Sequence, residues 1–346
     1  MPISLVQSLP KLLIKVLAVR LQSQIPHLIH NMQSGFIKGR AIAENFILAS
    51  EMIQCARKSR KPMFVLKLDF QKAFDSVNWE CLLNILEARG FDQRWIRWVR
   101  DILTSSSARV LINGQPGDVF FFRRGVRQGD AISPYLFDLM ADVLQRMCCL
   151  AFSENSLLHP LDADSFFPTL QYANDTLILL KGEVSQARKI KQILQDFAGF
   201  TGLQINYHKS TFVPLNVDEQ VAAEAAQILG CPISALPCTY LGLPLSMNKI
   251  TIVDLMPVIQ KVDKRLAGWM ATYLSWGGRL IMINEVLSAI PTHFMACFIW
   301  PAKGIELLDK LRRLFLWEIK DGNSSGHCLV AWDQVIQSKE SGGLGI

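Results

Sequence analysis

The sequence predicts an α+β protein. Residues 4–29 and 41–59 carry apolar side chains at helical spacing. MFVLKLDF (63–70) and TLQYANDTLILLKG (169–182) read instead as a buried strand and as strand, tight turn, strand. From Pro237 onward the pattern is mainly helical.

The elements follow in order. Pro10 sits near a helix start, and Asn78 and Asp92 are candidate caps for helices over 79–89 and 93–103. ARVLING (108–114) and DVFFFRRG (118–125) flank Asn113-Gly114 and predict a β-hairpin. Pro134 opens a helix to about Leu150, and residues 151–168 read as loop. Asn174-Asp175 suits a hairpin tip. A helix over 184–200 stops near Gly199 and Gly202. Further helices are predicted over 254–268, 279–290 and 304–319, with a subdomain change near 235–250.

The chain has 346 residues, 50% of them hydrophobic and 19% charged. That is enough for two packed units and excludes a disordered chain. Lys11, Lys15, Arg20, Lys38, Arg40, Arg57, Lys58 and Arg60 face only Glu44 and Glu51 within residues 1–60, so this segment carries the whole net charge of +6. A basic lobe on a neutral body suits a polyanionic partner, and equally an ordinary solvated surface. The eight cysteines show no CxxC and no zinc-type spacing; they read as reduced thiols of an intracellular protein, with nucleus and cytoplasm undecided. His27 and His30 read as surface or packing residues. No apolar run reaches the ~18 residues of a membrane span. Residues 1–30 hold no acid and superficially look like a transit peptide, but they run unbroken into QSGFIKGR. SGGLGI carries no stop signal, and the chain is expected to be a fragment.

Asp69 ends the strand at 63–70, and Asp175 sits at the predicted hairpin tip. Two apolar strands side by side bring both carboxylates to one sheet edge. Such a cluster suits Mg²⁺, which takes oxygen ligands. Two such ions about 4 Å apart clamp the attacking and leaving oxygens of phosphoryl transfer. Each Asp taken singly is as well explained as a turn or cap residue.

Ordered sequence blocks decide between these. PISL (2–5), QSGFIKGR (33–40), KLDFQKAFDSVNW (67–79), RGVRQGDAISPYLF (124–137), YANDTLIL (172–179), GLQINYHKS (202–210) and YLGLPL (240–245) stand in sequence. Together they resemble the reverse transcriptase domain of non-LTR (LINE-type) retrotransposons, especially plant ones, over essentially all 346 residues. LSWGGR, FLW and GGLGI are similar to the family's following region.

The resemblance implies a right-hand polymerase fold with an antiparallel palm sheet packed on helices. Fingers are expected mainly over 1–62, palm over 63–245 and a mostly helical thumb over 246–346. It implies RNA-directed DNA polymerisation on an RNA template and DNA primer, with dNTP and two Mg²⁺ ions. Asp69 and Asp175 would be the metal ligands. Lys38 and Arg40 would meet the triphosphate. Phe70 and Phe74 would lie at the nucleotide, the Phe74 ring excluding a 2′-OH. Gln128 and Gly129 would line the nucleotide pocket. Lys209 would protonate the departing pyrophosphate, and Tyr240, Leu241 and Gly242 would form the primer grip. Asp75 is expected to cap the following helix. Lys261, Lys264 and Arg265, or Arg312 and Arg313, would supply thumb contacts to phosphates.

The departures bear on activity. Asn174 stands where the family's YADD motif has its first Asp, so three acidic positions become two. A loss of ~4 kcal/mol of transition-state stabilisation would slow the reaction roughly 10³-fold. Ala131 stands where Pro is usual, and Met1 where Arg usually precedes PISL. The expectation is a reverse transcriptase domain impaired by Asn174. The alternatives are an inactive nucleic-acid-binding remnant of the same fold and an unrelated helical interaction protein. A separation above about 15 Å between Asp69 and residue 174 would favour the last.

Overall fold

A computed structural model describes residues 8–162, 166–267, 273–317 and 330–346. The PISL block lies outside these residues. The chain divides into two compact units, Met1–Met247 and Asn248–Ile346.

The first unit begins with α1 (Ser8–Gln22), α2 (Ile25–Leu28) and α3 (Ile42–Ser59), followed by β1 (Met63–Leu68). The segment after β1 forms α4 (Ala73–Ser76), α5 (Trp79–Ala88) and α6 (Gln93–Thr104). Asn78 caps α5 by accepting from the Cys81 amide, and Asp92 caps α6 by accepting from Arg94. Asp75 lies inside α4 and caps nothing, a correction to the sequence reading. The predicted hairpin at Asn113-Gly114 is present, but its ladder is broken. β2 (Ser107–Ala108) pairs with β5 (Phe120–Phe121), and β3 (Leu111–Ile112) with β4 (Gln115–Pro116).

α7 (Ser133–Ser153) starts with Pro134 in its first turn and runs three residues further than expected. β6 (Thr169–Tyr172) and β7 (Asp175–Lys181) form the second hairpin, and α8 (Val184–Thr201) ends on Gly202 at φ 79°. β8 (Thr211–Leu215), α9 (Glu219–Leu229), β9 (Cys238–Tyr240) and β10 (Leu243–Leu245) complete the unit.

The main sheet has the order β6-β7-β1-β8, with every pair antiparallel. The α+β expectation of an antiparallel sheet packed on helices therefore holds. The sheet's core residues, among them Phe64, Leu66, Ile178 and Phe212, join the apolar faces of α5, α7 and α8 in one cluster. Phe64 meets Phe212 edge to face at 5.0 Å.

The second unit contains α10 (Ile252–Ala267), α11 (Trp276–Ile281), a π-helical turn over Met282–Leu287, α12 (Ala289–Met295), α13 (Ala302–Trp317) and α14 (Trp332–Val335). Leu255, Val262, Ile283, Leu287, Leu308 and Leu316 form its core. Lys261, Lys264 and Arg265 are exposed. Arg312 is instead held by Asp309 at 3.2 Å and by the Ser288 hydroxyl at 3.0 Å.

Candidate active site

The β1–β7 register brings the two aspartates together. Leu68 pairs with Thr176 at its last step, so Asp69 and Asp175 occupy the next position across the two strands. Opposed residues of an antiparallel pair lie with Cα atoms about 5 Å apart and project to the same face. That is far inside the 15 Å limit, because β7 follows the turn holding Asn174 directly. Burial pushes the Asp175 carboxyl above its usual range; Lys67 opposes this and Asp69 adds to it.

The turn itself differs by one residue from the expected tip. Ala173 and Asn174 make the turn, and Asp175 opens β7 opposite Tyr172. Ala173 is buried and takes a left-handed φ of 53°. The QSGFIKGR block holds it there. Gln33 Oε1 accepts from the amides of both Ala173 and Gly35 at 2.9 Å. Ser34 donates its amide to the Gln171 carbonyl at 2.9 Å, and Asn45 Nδ2 donates to the same carbonyl at 2.7 Å.

The backbone of Asp69 is clamped from the other side. Its amide donates to Ser210 Oγ at 3.1 Å, and its carbonyl accepts from Asn206 at 2.7 Å. GLQINYHKS is thus packed along Asp69. Lys209 lies in the turn after Asn206, with its side chain exposed. The β9–β10 hairpin joins through Lys67, whose Nζ donates to the Thr239 carbonyl at 2.8 Å. Tyr240 is fully buried, its hydroxyl donating to Leu170 at 3.4 Å, and burial pushes its pKa up. Leu241 and Gly242 form the tip of that hairpin with φ of 50° and 80°.

Several candidate residues have different surroundings from those the sequence suggests. Arg40 is committed to its own loop. Its guanidinium donates to the carbonyls of His30 (2.7 Å), Gln33 (2.6 Å), Pro26 (3.1 Å) and Ile29 (3.2 Å). Lys38 is exposed. Phe70 is a core residue, 7% exposed and edge-on to Phe197 at 6.1 Å; apolar burial outweighs exposure to any nucleotide. Phe74 is half-buried, its ring stacked 4.6 Å from Phe137 at 15°. Gln128 donates to Asp75 at 3.4 Å, and Gly129 has φ 104°, a conformation that favours glycine.

Gln33, Asn45, Lys67 and Ser210 were not singled out by sequence reasoning. Gln33, Lys67 and Ser210 lie within the motif blocks and Asn45 outside them, yet each makes a bond to a residue far away in sequence, so nothing beyond the blocks signalled them.

Asp69 and Asp175 offer carboxylate oxygens, the donor type a hard divalent cation takes, and the Asn174 side chain in the adjoining turn carries an amide oxygen rather than a third carboxylate. Two adjacent carboxylates, one already raised by burial, gain from such a charge. Among the described residues no group of three or more His, Cys, Asp or Glu gathers as a metal cluster. No described helix is long and apolar enough to cross a membrane.

The family model for reverse transcriptase (RNA-dependent DNA polymerase) matches residues 1–245. The uncharacterized 149 kDa protein of transposon TX1 from Xenopus laevis is 26% identical over 337 residues, covering 94% of this chain and 25% of the relative. The Pol polyprotein of retrotransposable element R2 from Popillia japonica is 28% identical over 213 residues, covering 61% and 29%. A putative ribonuclease H protein from Arabidopsis thaliana is 34% identical over 104 residues, covering 30% and 17%. The apo telomerase structure from Candida tropicalis aligns with a TM-score of 0.49 at 12% identity, covering 88% of this chain and 55% of that one. The chain spans about a quarter of the length of the first two curated relatives.

Proposed function

The chain belongs to the reverse transcriptase (RNA-dependent DNA polymerase) family, and on that premise we propose that it carries the nucleotidyl-transfer site of a non-LTR retrotransposon-derived protein, impaired by Asn174. The observation that carries this reading is the register setting Asp69 beside Asp175 directly after the Asn174 turn. In this reading residues 1–62 are mainly fingers, 63–245 mainly palm, and 246–346 thumb. The partners are an RNA template, a DNA primer and dNTP. The 34% identity with an Arabidopsis thaliana protein supports a plant lineage for the element.

Asp69 and Asp175 would hold Mg²⁺, two ions in the complete family pattern. A divalent ion there supplies charge neutralisation to the transferring phosphoryl group. The chain's own residues do the rest. Lys38 offers an exposed ammonium to the triphosphate, while Arg40 shapes the loop that presents it. Phe74, backed by Phe137, sets a ring where a ribose 2′-OH would clash. Gln128 and Gly129 line the nucleotide pocket, and the Tyr240–Gly242 hairpin steadies the primer end. Lys209, exposed in the turn beside Asp69's backbone partners, would give a proton to pyrophosphate.

A second reading, a catalytically inactive nucleic-acid-binding remnant, is favoured by Asn174 alone. An amide keeps an oxygen donor but removes a full negative charge from the site. Primer extension on an RNA template with Mg²⁺ separates the two, comparing the chain with Asn174→Asp. Extension by the reverted protein at roughly 10³ times the original rate supports an intact site with one lesion. Extension by neither supports the remnant. Equal extension by both overturns the role given to Asn174.

A further inference from the structure

Between α6 and α7 the chain exposes large apolar side chains in a small hairpin. Leu111 and Ile112 are 69% and 65% exposed, and Phe121 is 68% exposed. Phe120 on β5 and Phe122 just beyond its end meet edge to face at 5.6 Å, which puts both rings on one side of the hairpin. Exposed Arg109, Arg123 and Arg124 flank these rings. Over residues 93–126 there are six arginines against Asp101 and Asp118. Arg123 and Arg124 also line a surface cleft of about 440 Å³ with Trp79 and Asn78.

Aromatic faces interleaved with unpaired guanidinium groups suit one kind of occupant. Unpaired bases stack on aromatic rings whatever their sequence, and their phosphates take the cations. A neutral apolar partner covering the rings would strip water from three arginines and return no charge.

We propose that the hairpin of β2 to β5, with Arg109, Arg123 and Arg124, binds single-stranded nucleic acid. Bases pack against the Phe120 and Phe122 rings, and the sugar–phosphate backbone follows the arginines. The inference rests on the polymerase reading above, to which it adds a holding site for the unpaired template strand.

The test measures binding of labelled probes to the whole chain. The probes are a blunt RNA–DNA hybrid, the same hybrid with a ten-nucleotide RNA overhang, and that overhang as free RNA and as free DNA. The expected result is that the overhang tightens binding at least tenfold. F120A/F122A removes most of that gain and weakens free-strand binding at least fivefold, leaving blunt-hybrid affinity unchanged. R109Q/R123Q/R124Q lowers the slope of log affinity against log salt by about 2, since each single-strand phosphate contact contributes roughly 0.7. These side chains are exposed, so both variants are expected to melt like the parent.

Retention of the overhang gain in F120A/F122A overturns the hairpin site and leaves the polymerase reading intact. Free-strand binding that needs the hairpin, with no hybrid binding, keeps the site and sinks the polymerase reading. A wild-type chain that binds no probe overturns both. A change in self-association in the variants, with RNA binding unaltered, makes the hairpin an interface between copies and also overturns the proposal.

Discussion

Gly35 lies so close to Ala173 that a Cβ on Gly35 would come 2.3 Å from the Ala173 amide nitrogen. Two segments about 140 residues apart thus meet backbone to backbone at the turn that carries Asn174. Gly35→Ala is expected to push this turn away and cost ~3 kcal/mol or more, since backbone cannot yield as a side chain does. Gly39→Ala meets open space and faces only its φ of 87°, a cost of about 1 kcal/mol. Thermal unfolding of the two variants should show a much larger drop for Gly35→Ala. Similar drops would mean that the close approach does not constrain the turn.

Arg40 and Lys38 should separate stability from nucleotide binding. Arg40→Lys leaves loop carbonyls without donors and is expected to cost about 2–3 kcal/mol. Lys38→Gln should melt like the parent. In the Asn174→Asp background, Lys38→Gln is expected to raise KM for dNTP several-fold. Urea denaturation and steady-state extension check the two halves.

Phe74→Val in the same background is expected to raise rNTP incorporation relative to dNTP at least tenfold. The lost Phe137 stacking should cost about 1 kcal/mol of stability. Competition between dNTP and rNTP in primer extension is the measurement; unchanged selectivity would reduce Phe74 to a packing residue.

Asp138 on α7 is fully buried, and neither carboxyl oxygen has a hydrogen-bond partner. Burial pushes its pKa well above the ordinary 3.8, Arg40 pulls it down and Asp142 pushes it up. The folded state therefore keeps a proton that the unfolded chain releases. Its stabilising contribution is complete below pH 3.8 and is lost as pH rises towards the folded value. Asp138→Asn stays neutral throughout, so its stability should fall less than the parent's between pH 5 and pH 8. Melting curves across this range decide it. Parallel falls would show that Asp138 does not dominate, leaving Asp130 and Asp175, whose carboxyls burial also raises.

What the sequence reveals and what it hides follow from the range of the interactions. β1 is legible as an unbroken apolar run, and the caps Asn78 and Asp92 are legible because their bonds close within three residues. β8 and α9 are absent from the sequence reading. β8 has only five residues and contains Pro214, a residue that ordinarily argues against a strand. It is tolerated because β8 is the edge of the sheet. The juxtaposition of Asp69 and Asp175 could be anticipated from two strand ends. The Gln33 clamp on Ala173 could not, since it links chemically ordinary residues across a long stretch of chain. Arg40 looks like a phosphate ligand by type, and only its four carbonyl partners reveal a structural task.

The strand order β6-β7-β1-β8 also sets when the protein can become itself during synthesis. β1 lies between two strands that the ribosome makes more than a hundred residues later. A nascent chain released from the exit tunnel only as far as α6 would present an apolar strand with both flanks open, exposed to aggregation or chaperone capture. Such high contact order predicts slow closure, with the two aspartates meeting only after residue 175 has emerged. Premature termination anywhere before that point would yield a polypeptide with neither a finished sheet nor a site.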